Sequence, residues 1–356
     1  MNRSSPVAKF DCPLQNIAVR NNSKTKKIFF LISVILSENK VINGILFMDI
    51  KEILMAILSI QSHVVYGYAG NTAAVFPMQR LGREVWAINT VEFSNHTGYG
   101  EWTGKVLGEE LIGSLINGLE QRGALKNCEA VLSGYLGDAS VGSVIADAVR
   151  RIKVLSPKAI YCCDPVMGDA GRGFYVKPDI PDLFRNVLIP LADIITPNQF
   201  ELEALTGIEI KDIDSARKAI DILHEKGAGV VLVTSFLGDG KKGQIGMLAS
   251  DKMQASDKSG LYSVITPKLP IGQCMAGSGD ITASVFLSRY LETGDIKKTL
   301  ELCTASVFGI LEESLKSYNN NSGSCSTEAG IMELKIIQAQ KELDSPSYSF
   351  RVKKVT

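Results

Sequence analysis

One stretch of the chain, residues 194–201, reads Ile-Ile-Thr-Pro-Asn-Gln-Phe-Glu. It indicates a buried strand that ends at Ile195 and a helix that begins near Gln199. Short apolar runs alternate in this way with amphipathic stretches from residue 53 onward. That alternation is typical of a sheet covered on both faces by helices. We therefore predict an α/β fold.

The alternation also sets the bounds of the predicted elements. Strands are predicted over 53–60, 85–91, 130–132, 159–163, 194–195 and 229–233, and helices over 70–81, 107–118, 141–153, 199–205, 215–225, 281–290, 297–315 and 331–343. The polar segment 317–328 is predicted to be a surface loop. No Pro/Ser-rich linker interrupts this pattern, so we expect a single domain over 53–350.

Residues 1–52 are expected to lie outside that domain. Their longest apolar run, 28–36, follows three lysines but is too short to span a membrane, which takes about 20 apolar residues. No small-residue cleavage site follows the run, which argues against a signal peptide. We expect either a disordered extension, a targeting segment, or an over-long start assignment with Met48 or Met55 as the alternative start.

Composition narrows the class of partner. Lys plus Arg equals Asp plus Glu at 38 each, so no global field favours nucleic acid or an anionic membrane. The seven cysteines are odd in number and lack metal-like spacing, a pattern that fits a reducing, cytosolic compartment. The three histidines have no local partners for a zinc site. We therefore expect a small molecule as the ligand or substrate.

The most informative motif for chemistry is the turn Gly277-Ser278-Gly279-Asp280, which precedes a predicted helix. Its glycines let successive backbone N–H groups point one way, and the helix adds its positive N-terminal end. The turn therefore predicts an anion-binding site. Taken alone, a glycine turn with an aspartate is more often only a helix cap.

Two other acids favour the interpretation of this turn as a binding site over that of a helix cap. Asp164 and Glu201 follow predicted strands, at the carboxyl ends where ligands bind in open α/β sheets. Magnesium is held by only one or two carboxylates, so two acids and an anion-binding turn suit a metal-bound polyphosphate. Together they favour phosphoryl transfer to a small alcohol. P-loop, dinucleotide-binding and hydrolase-elbow motifs are absent from the sequence.

The motifs then resemble a known family. The glycine-acid turn after the Asn-x-x-Glu strand end resembles ribokinase-like kinases. Four longer segments, 59–71, 93–99, 132–135 and 191–201, resemble the pyridoxal kinase family, and the resemblance covers residues 54–350 in order. It implies a ribokinase-like, mostly parallel central sheet with helices on both faces. It also implies ATP-dependent phosphorylation of the 5′-hydroxyl of pyridoxal, pyridoxine or pyridoxamine, in pyridoxal 5′-phosphate salvage.

The resemblance implies roles for individual residues. Asp280 matches the catalytic base, and Gly277, Ser278 and Gly279 match the donors that hold the transferring phosphoryl group. Ser62 and Thr97 match positions that bind the vitamer ring. Nucleotide-binding positions match Asp164, Asp169, Tyr175, Thr196, Asn198, Glu201, Thr234, Ser235 and Ser278. The cation, expected to be Mg²⁺, would be held by Asp164, Thr196 and Glu201, and whether a monovalent cation assists stays open.

Some positions depart from the family pattern. Ser278 stands where threonine or valine is common, and Phe174 where some bacterial relatives have a cysteine able to capture the aldehyde. Segment 237–263, expected to fold over the nucleotide, matches least.

Two rival hypotheses remain at this stage. One is a relative that phosphorylates a pyrimidine, nucleoside or sugar, and the other is a vitamin B6 carrier without activity. Asp280, Asp164 and Glu201 argue against the carrier. Family analogy also implies a homodimer, with no nucleic acid or membrane partner.

Overall fold

A ten-stranded mixed sheet runs through the part of the chain that the computed structural model describes, which is residues 55–238, 242–253, 260–271, 275–321 and 332–355. Its strands are β1 Ala56–Tyr66, β2 Glu84–Asn95, β3 Gly104–Val106, β4 Cys128–Ser133, β5 Ile160–Cys163, β8 Ile194–Ile195, β9 Val230–Phe236, β10 Gln244–Asp251, β11 Gly260–Pro267 and β12 Lys353–Lys354. Two further strands, β6 Gly168–Asp169 and β7 Gly173–Phe174, form a separate hairpin.

The strand order is β12-β11-β10-β9-β8-β5-β4-β1-β2-β3. The six central strands, from β9 to β2, run parallel to one another. Strands β10, β11 and β12 at one edge and β3 at the other are antiparallel to their neighbours. This arrangement confirms the predicted mostly parallel sheet.

Helices cover both faces of the sheet. They are α1 Asn71–Arg80, α2 Glu109–Gln121, α3 Ser140–Leu155, α4 Ile180–Leu183, α5 Gln199–Thr206, α6 Ile213–Glu225, α7 Ser278–Thr293, α8 Ile296–Asn321 and α9 Lys341–Asp344. One apolar core joins α2, α3, α5 and α6 to the sheet, and a second joins α1, α7 and α8 to its other face. Leu58 lies in the first core and Ile57 in the second, because successive strand residues point to opposite faces.

The predicted helix over 331–343 is wrong. Met332 pairs with Met275 as an isolated bridge, and the helical turn is confined to Lys341–Asp344. Met332, Leu334 and Ile336 are all buried, so their spacing of two residues marks an extended segment. The backbone N–H of Lys335 donates to Ser314 Oγ at 2.8 Å, which fixes this segment against α8.

Three other boundaries differ from the sequence prediction. Helix α8 continues to Asn321, so residues 317–321 are not a loop, and 322–328 lie outside the described residues. Strand β1 extends to Tyr66, which puts the whole Ser-His-Val-Val segment in a strand. Segment 237–263 contributes strand β10 and the beginning of β11, although residues 239–241 and 254–259 are outside the described part.

The predicted extension over 1–52 also falls outside the described residues, and the domain bounds stay a prediction. The described residues belong to one compact unit, Leu54–Thr356. None of their helices combines the length and apolar composition needed to cross a membrane.

Candidate active site

The candidate residues cluster where the parallel strands end. Asp164 follows β5, Thr196 follows β8, and Thr234 and Ser235 lie near the end of β9. Parallel neighbours present their carboxyl ends at the same edge of a sheet, which is where ligands bind in such folds. The Gly277 turn joins them from the start of α7.

Asp164 is buried, with 4% of its surface exposed. One carboxylate oxygen, Oδ1, accepts a hydrogen bond of 2.8 Å from the Thr196 hydroxyl. The other oxygen, Oδ2, is buried and finds no hydrogen-bond partner among the described residues. A buried carboxylate oxygen without a donor is costly unless a cation or bound water takes that place.

Glu201 caps the start of a helix and also faces the candidate site. Its Oε2 accepts from the Asn198 backbone N–H at 2.9 Å, while the Glu201 backbone N–H donates to Asn198 Oδ1 at 2.9 Å, a capping box that starts α5. Its Oε1 accepts from the Met167 backbone N–H at 2.8 Å. Because both oxygens already accept from backbone N–H groups, Glu201 suits a contact with a cation through water better than a direct one.

The acids influence one another's ionisation. Burial, and then the negative charge of Asp280, raises the pKa of Asp164 to about 8, against an opposing hydrogen bond from Thr196. Burial and the charge of Asp164 raise the pKa of Glu201 well above its ordinary value. These shifts link the three acids electrostatically, and a cation placed among them would favour their charged forms.

Asp280 is not the cap of its helix. The N-cap of α7 is Gly277, and no side chain caps it. Burial raises the pKa of Asp280, and the nearby backbone N–H groups of Gly70 and of Asp280 itself oppose that rise. Asp280 therefore lies in the first turn of α7 without being its N-cap residue.

Gly70 also connects Asp280 to Ser62. Gly70 has φ +56°, and a Cβ there would lie 2.1 Å from the Ser62 carbonyl oxygen and 2.3 Å from Ser62 Oγ. Only a residue without a side chain fits this approach. Ser62 therefore lies in direct contact with Gly70.

The glycine turn is equally close-packed at its start. Gly277 has φ +82°, and a Cβ there would lie 2.3 Å from the Tyr68 carbonyl oxygen. A Cβ at Gly279 would meet nothing within 4 Å, so the turn is open at that point. Its N–H groups stand at the N-terminus of the 16-residue helix α7, whose dipole favours an anion there.

The predicted nucleotide residues lie around the two acids. The Asn198 side chain donates to the Gly168 carbonyl oxygen at 2.8 Å and to Asp169 Oδ1 at 3.3 Å. Burial of the Tyr175 hydroxyl and the charges of four acids, Glu201 foremost, raise the pKa of its phenol, although 45% of the residue is exposed. Tyr175 is therefore an exposed residue beside the acids.

Ser235 carries the one positive φ, +55°, found at a non-glycine residue in the described ranges. The left-handed region costs a residue with a Cβ about 1 kcal/mol or more, and such strain concentrates at binding sites. Its neighbour Thr234 is fixed by a hydrogen bond of 2.9 Å from its backbone N–H to the Pro197 carbonyl oxygen.

Thr97 lies on a separate element. It is exposed at the start of a 3₁₀ turn, Thr97–Tyr99, whose N-cap is His96. His96 Nδ1 accepts from the Gly98 backbone N–H at 3.1 Å. Among the described residues no hydrogen bond joins Thr97 to Asp280, so the contact between these two predicted site residues is left to a ligand.

Sequence reasoning did not single out two structural participants. Gly70 could have been found, because it precedes a helix after a glycine loop in the same way as Gly277. Glu333, which binds Tyr68 and Tyr99, carries no local motif. Its role depends on contacts with residues more than 230 positions away.

The donor set fits a divalent cation of the magnesium type. The described residues contain no group of three or more His, Cys, Asp and Glu side chains that could hold a metal by themselves. Magnesium rarely needs such a cage, because waters and nucleotide phosphates complete its six ligands. Such an ion, or a water bound to it, would lie next to Asp164 Oδ2, which has no hydrogen-bond partner among the described residues.

Comparison with known proteins agrees with this geometry. A family model described as phosphomethylpyrimidine kinase matches residues 121–324. The chain is 46% identical over 301 residues to the pyridoxal kinase PdxY of Rubrobacter xylanophilus, covering 84% of this chain and 97% of that one. It is 45% identical over 301 residues to that of Granulibacter bethesdensis, covering 83% and 98%. The chain belongs to the pyridoxal kinase family.

A solved structure from the same family has the same fold. The pyridoxal kinase from Leishmania donovani in complex with ADP and pyridoxine superimposes with a TM-score of 0.75 at 31% identity, covering 85% of this chain and 99% of that one. The chain is thus a phosphotransferase that acts on an alcohol group. The predicted pyridoxal kinase resemblance and ribokinase-like fold are confirmed.

Proposed function

We propose that this chain transfers the γ-phosphoryl group of ATP to the 5′-hydroxyl of pyridoxal, pyridoxine or pyridoxamine, in the salvage of pyridoxal 5′-phosphate. The observation that carries the proposal is the close packing of the Gly277 turn on the loop after β1: a Cβ at Gly277 would lie 2.3 Å from the Tyr68 carbonyl oxygen, and Gly70 of the same loop packs on Ser62. It links the Ser62 segment, which the family resemblance assigns to the vitamer, to the start of the anion-binding turn. The ADP and pyridoxine bound to the Leishmania donovani enzyme support the same pair of ligands.

Asp280 acts as the general base in this proposal. Its raised pKa makes it a better proton acceptor near neutral pH than an exposed aspartate would be. The nearby Gly70 N–H favours the charged form of the carboxylate. In phosphoryl transfer the base mainly orients the attacking hydroxyl and takes its proton as the new bond forms.

The turn itself would stabilise the transferring group. The backbone N–H groups of Gly277, Ser278 and Gly279 stand at the N-terminus of α7, where negative charge is favoured. Since the backbone does the binding, Ser278 can replace the threonine or valine common in the family. The close approach of Gly277 to the Tyr68 carbonyl keeps this turn rigid.

Asp164 is the residue best suited to a direct contact with Mg²⁺, because its Oδ2 has no protein donor. Thr196 orients Asp164 through its hydroxyl, and Glu201 would act through water. A bound ion would supply positive charge that offsets the negative charge of the nucleotide phosphates. A monovalent cation is compatible with the same proposal.

The remaining predicted residues complete the two ligand positions. Asp169, Tyr175, Asn198, Thr234 and Ser235 are proposed to bind ATP, since they surround the acids at the strand ends. Ser62 and Thr97 are proposed to bind the polar groups of the vitamer ring, because a hydroxyl can donate to or accept from a ring substituent. Ser62 does so from β1 and Thr97 from the 3₁₀ turn.

A homodimer and a cytosolic location are proposed with the function. Support for the dimer comes from exposed apolar residues on β3, on α2 and at the end of β1, namely Val65, Tyr66, Val106, Leu111 and Leu115. Light scattering of the purified protein tests it.

Support for the cytosol comes from Cys128, Cys162, Cys163 and Cys303, which are buried free thiols. We further propose that residues 1–52 form an extension to a single domain over 53–350.

A pyrimidine kinase is the second candidate, favoured by the description of the matching family model. That match spans 121–324 and thus includes Asp164, Glu201 and Asp280 but neither Ser62 nor Thr97. It therefore bears on the nucleotide and the transfer turn, which related kinases share. The segments expected to choose the alcohol lie outside it.

The test is a substrate panel. Purified protein, ATP and Mg²⁺ are mixed with each of the three vitamers, with a hydroxymethylpyrimidine and with a sugar, and ADP release is followed by a coupled assay. We expect turnover with the vitamers to exceed turnover with the other alcohols by at least about a hundredfold in kcat/KM, the discrimination available to a site that hydrogen-bonds its substrate. Preferential turnover of the pyrimidine would replace the proposed function by the second candidate.

A further inference from the structure

Glu333 binds two loops that lie far from it in the sequence. Its Oε2 accepts a hydrogen bond of 2.9 Å from the Tyr68 backbone N–H, 265 positions away. Its Oε1 accepts one of 2.7 Å from the Tyr99 hydroxyl, 234 positions away. A single carboxylate thus bridges the loop that follows β1 and the 3₁₀ turn that follows β2.

The neighbours of Glu333 lie against the transfer turn. Met332 pairs with Met275, and Leu334 Cδ1 lies 3.0 Å from where a Cβ of Gly277 would be. The segment that carries Glu333 is therefore packed alongside Met275–Gly277. Its carboxylate is held beside the turn by the extended backbone on either side.

The two loops that Glu333 binds are the ones that carry the proposed ligand contacts. Two residues after Tyr68 comes Gly70, which packs directly against Ser62, and the Tyr68 carbonyl oxygen itself lies against Gly277. Two residues before Tyr99 comes Thr97, proposed to contact the vitamer. Tyr99 also packs edge-on against Tyr66, with ring centroids 5.9 Å apart. The bridge thus connects three parts of one site.

The space for this contact is shaped around the Glu333 side chain. Gly67 leaves the space that the acid fills, since a Cβ there would lie 2.3 Å from Glu333 Oε1. Burial and the Glu333 carboxylate raise the pKa of Tyr99, so its hydroxyl stays a donor across the working pH range. Hydrogen bonds to a charged acceptor are stronger than neutral ones.

We propose that Glu333 is a positioning residue that holds the Gly67–Gly70 loop and the Thr97–Tyr99 turn in register with the Gly277 turn, and so sets the affinity for the vitamer. This inference rests on the proposed function for the identity of the ligand. It acts mainly on the vitamer, because the proposed nucleotide residues other than Ser278 lie on β6, β9 and α5 or follow β5, β7 and β8, none of which Glu333 bonds.

The test compares four single variants, and the double variant that combines Glu333→Ala with Tyr99→Phe, with the wild type. Glu333→Ala removes both hydrogen bonds, Tyr99→Phe removes one, and Glu333→Gln keeps an acceptor for Tyr68 and a donor for the Tyr99 oxygen. Asp344→Ala is the matched control, because Asp344 also ties the C-terminal segment to the first half of the chain, through an ion pair with Arg80 in α1. The Asp344→Ala variant removes a contact of the C-terminal segment that lies away from the two loops.

Two readouts separate positioning from stability. In steady-state kinetics, Glu333→Ala should raise the KM for pyridoxal about tenfold, the effect of losing a hydrogen bond to a charged group, with the KM for ATP within about twofold. Tyr99→Phe should give part of this rise, and the double variant should show less than the sum of the two effects in free energy. Glu333→Gln should lie within about threefold of the wild type.

Hydrogen exchange supplies the readout that does not depend on activity. Peptides that contain 67–70 and 97–100 should exchange faster in Glu333→Ala, while peptides from α5 and α6 should not change. The proposal is overturned if Glu333→Ala leaves these loops protected, if it raises both KM values equally, or if Asp344→Ala has the same effect. Absence of vitamer turnover by the wild type would refute the proposed function, and the exchange result would still decide the bridge.

Discussion

Asp164→Asn is the change whose consequence follows most directly from the electrostatics of the site. In the protein free of metal and nucleotide, burial and the charge of Asp280 raise the pKa of Asp164 from its ordinary value of 3.8 to about 8. The folded protein therefore holds a proton on Asp164 over a pH range in which the unfolded chain has released it. Asparagine keeps the shape and has no proton to lose.

The sign and size follow from proton linkage. When folding raises the pKa of a carboxyl group, that group contributes its full stabilisation at pH values below its pKa in the unfolded chain. The contribution is lost as the pH rises through its pKa in the folded protein. Between these limits the free energy of unfolding falls by about 1.4 kcal/mol per pH unit. From pH 5 to pH 7.5 the wild type should therefore lose about 3 kcal/mol that the variant keeps. Asp164 is only 4% exposed, so solvent screening does not remove this effect.

The effect on Glu201 has the same sign. The charge of Asp164 helps to raise the pKa of Glu201, so the variant relieves that residue too. Thr196→Val is a useful companion, because its hydroxyl donates to Asp164 Oδ1 and lowers the pKa of that acid. Loss of that bond should shift the pH dependence of stability to higher pH.

Urea unfolding in the presence of a chelator, at half-unit steps from pH 5 to pH 9, measures the difference. The m-value should stay constant, so that a shifted midpoint reports stability alone. Mg²⁺ and ATP should then stabilise the wild type more than Asp164→Asn, and binding below pH 8 should release a proton that calorimetry in two buffers detects. Equal pH slopes for the wild type and Asp164→Asn would refute the reasoning.

Two further changes probe the backbone of the site. Gly70→Ala should lower kcat/KM by at least about a hundredfold, because its Cβ would displace Ser62 and the N–H that lies near Asp280. Gly82→Ala is its control, since Gly82 has φ +80° with nothing within 4 Å, and it should only lower stability by about 1 kcal/mol; equal losses of activity would contradict the assignment. Ser235→Gly should raise the free energy of unfolding by about 1 kcal/mol in urea, by relieving a φ of +55°, and it should weaken ATP binding; a destabilised variant would contradict this.

The sequence was sufficient to predict the sheet and the position of the acids at its edge, and the reason is physical. Buried parallel strands are short apolar runs, and the residue that follows each one must lie at the same edge of the sheet. Asp164, Thr196 and Glu201 could therefore be placed without a structure. Glu201 shows that a local cap and a site residue can be one side chain, so the two interpretations of its motif were never exclusive.

What the sequence could not show depends on long-range contacts. Glu333 has no motif of its own, and its segment was predicted to be helical because its amphipathic residues also fit a helical period. The pairing of Met332 with Met275 and the burial of Leu334 on Gly277 make it extended instead. Gly70 has a local signal, but its proximity to Asp280 has none, since 210 residues separate the two.

The most direct test of the central claim is the turnover of Asp280→Ala, with Asp280→Asn beside it. If Asp280 is the base at the transfer turn, kcat for pyridoxal with ATP and Mg²⁺ should fall by at least about a hundredfold in both variants, the range that a positioned general base supplies. The dissociation constant of pyridoxal, measured by calorimetry, should stay within about threefold of the wild type. Turnover at the wild-type level in either variant would contradict the account.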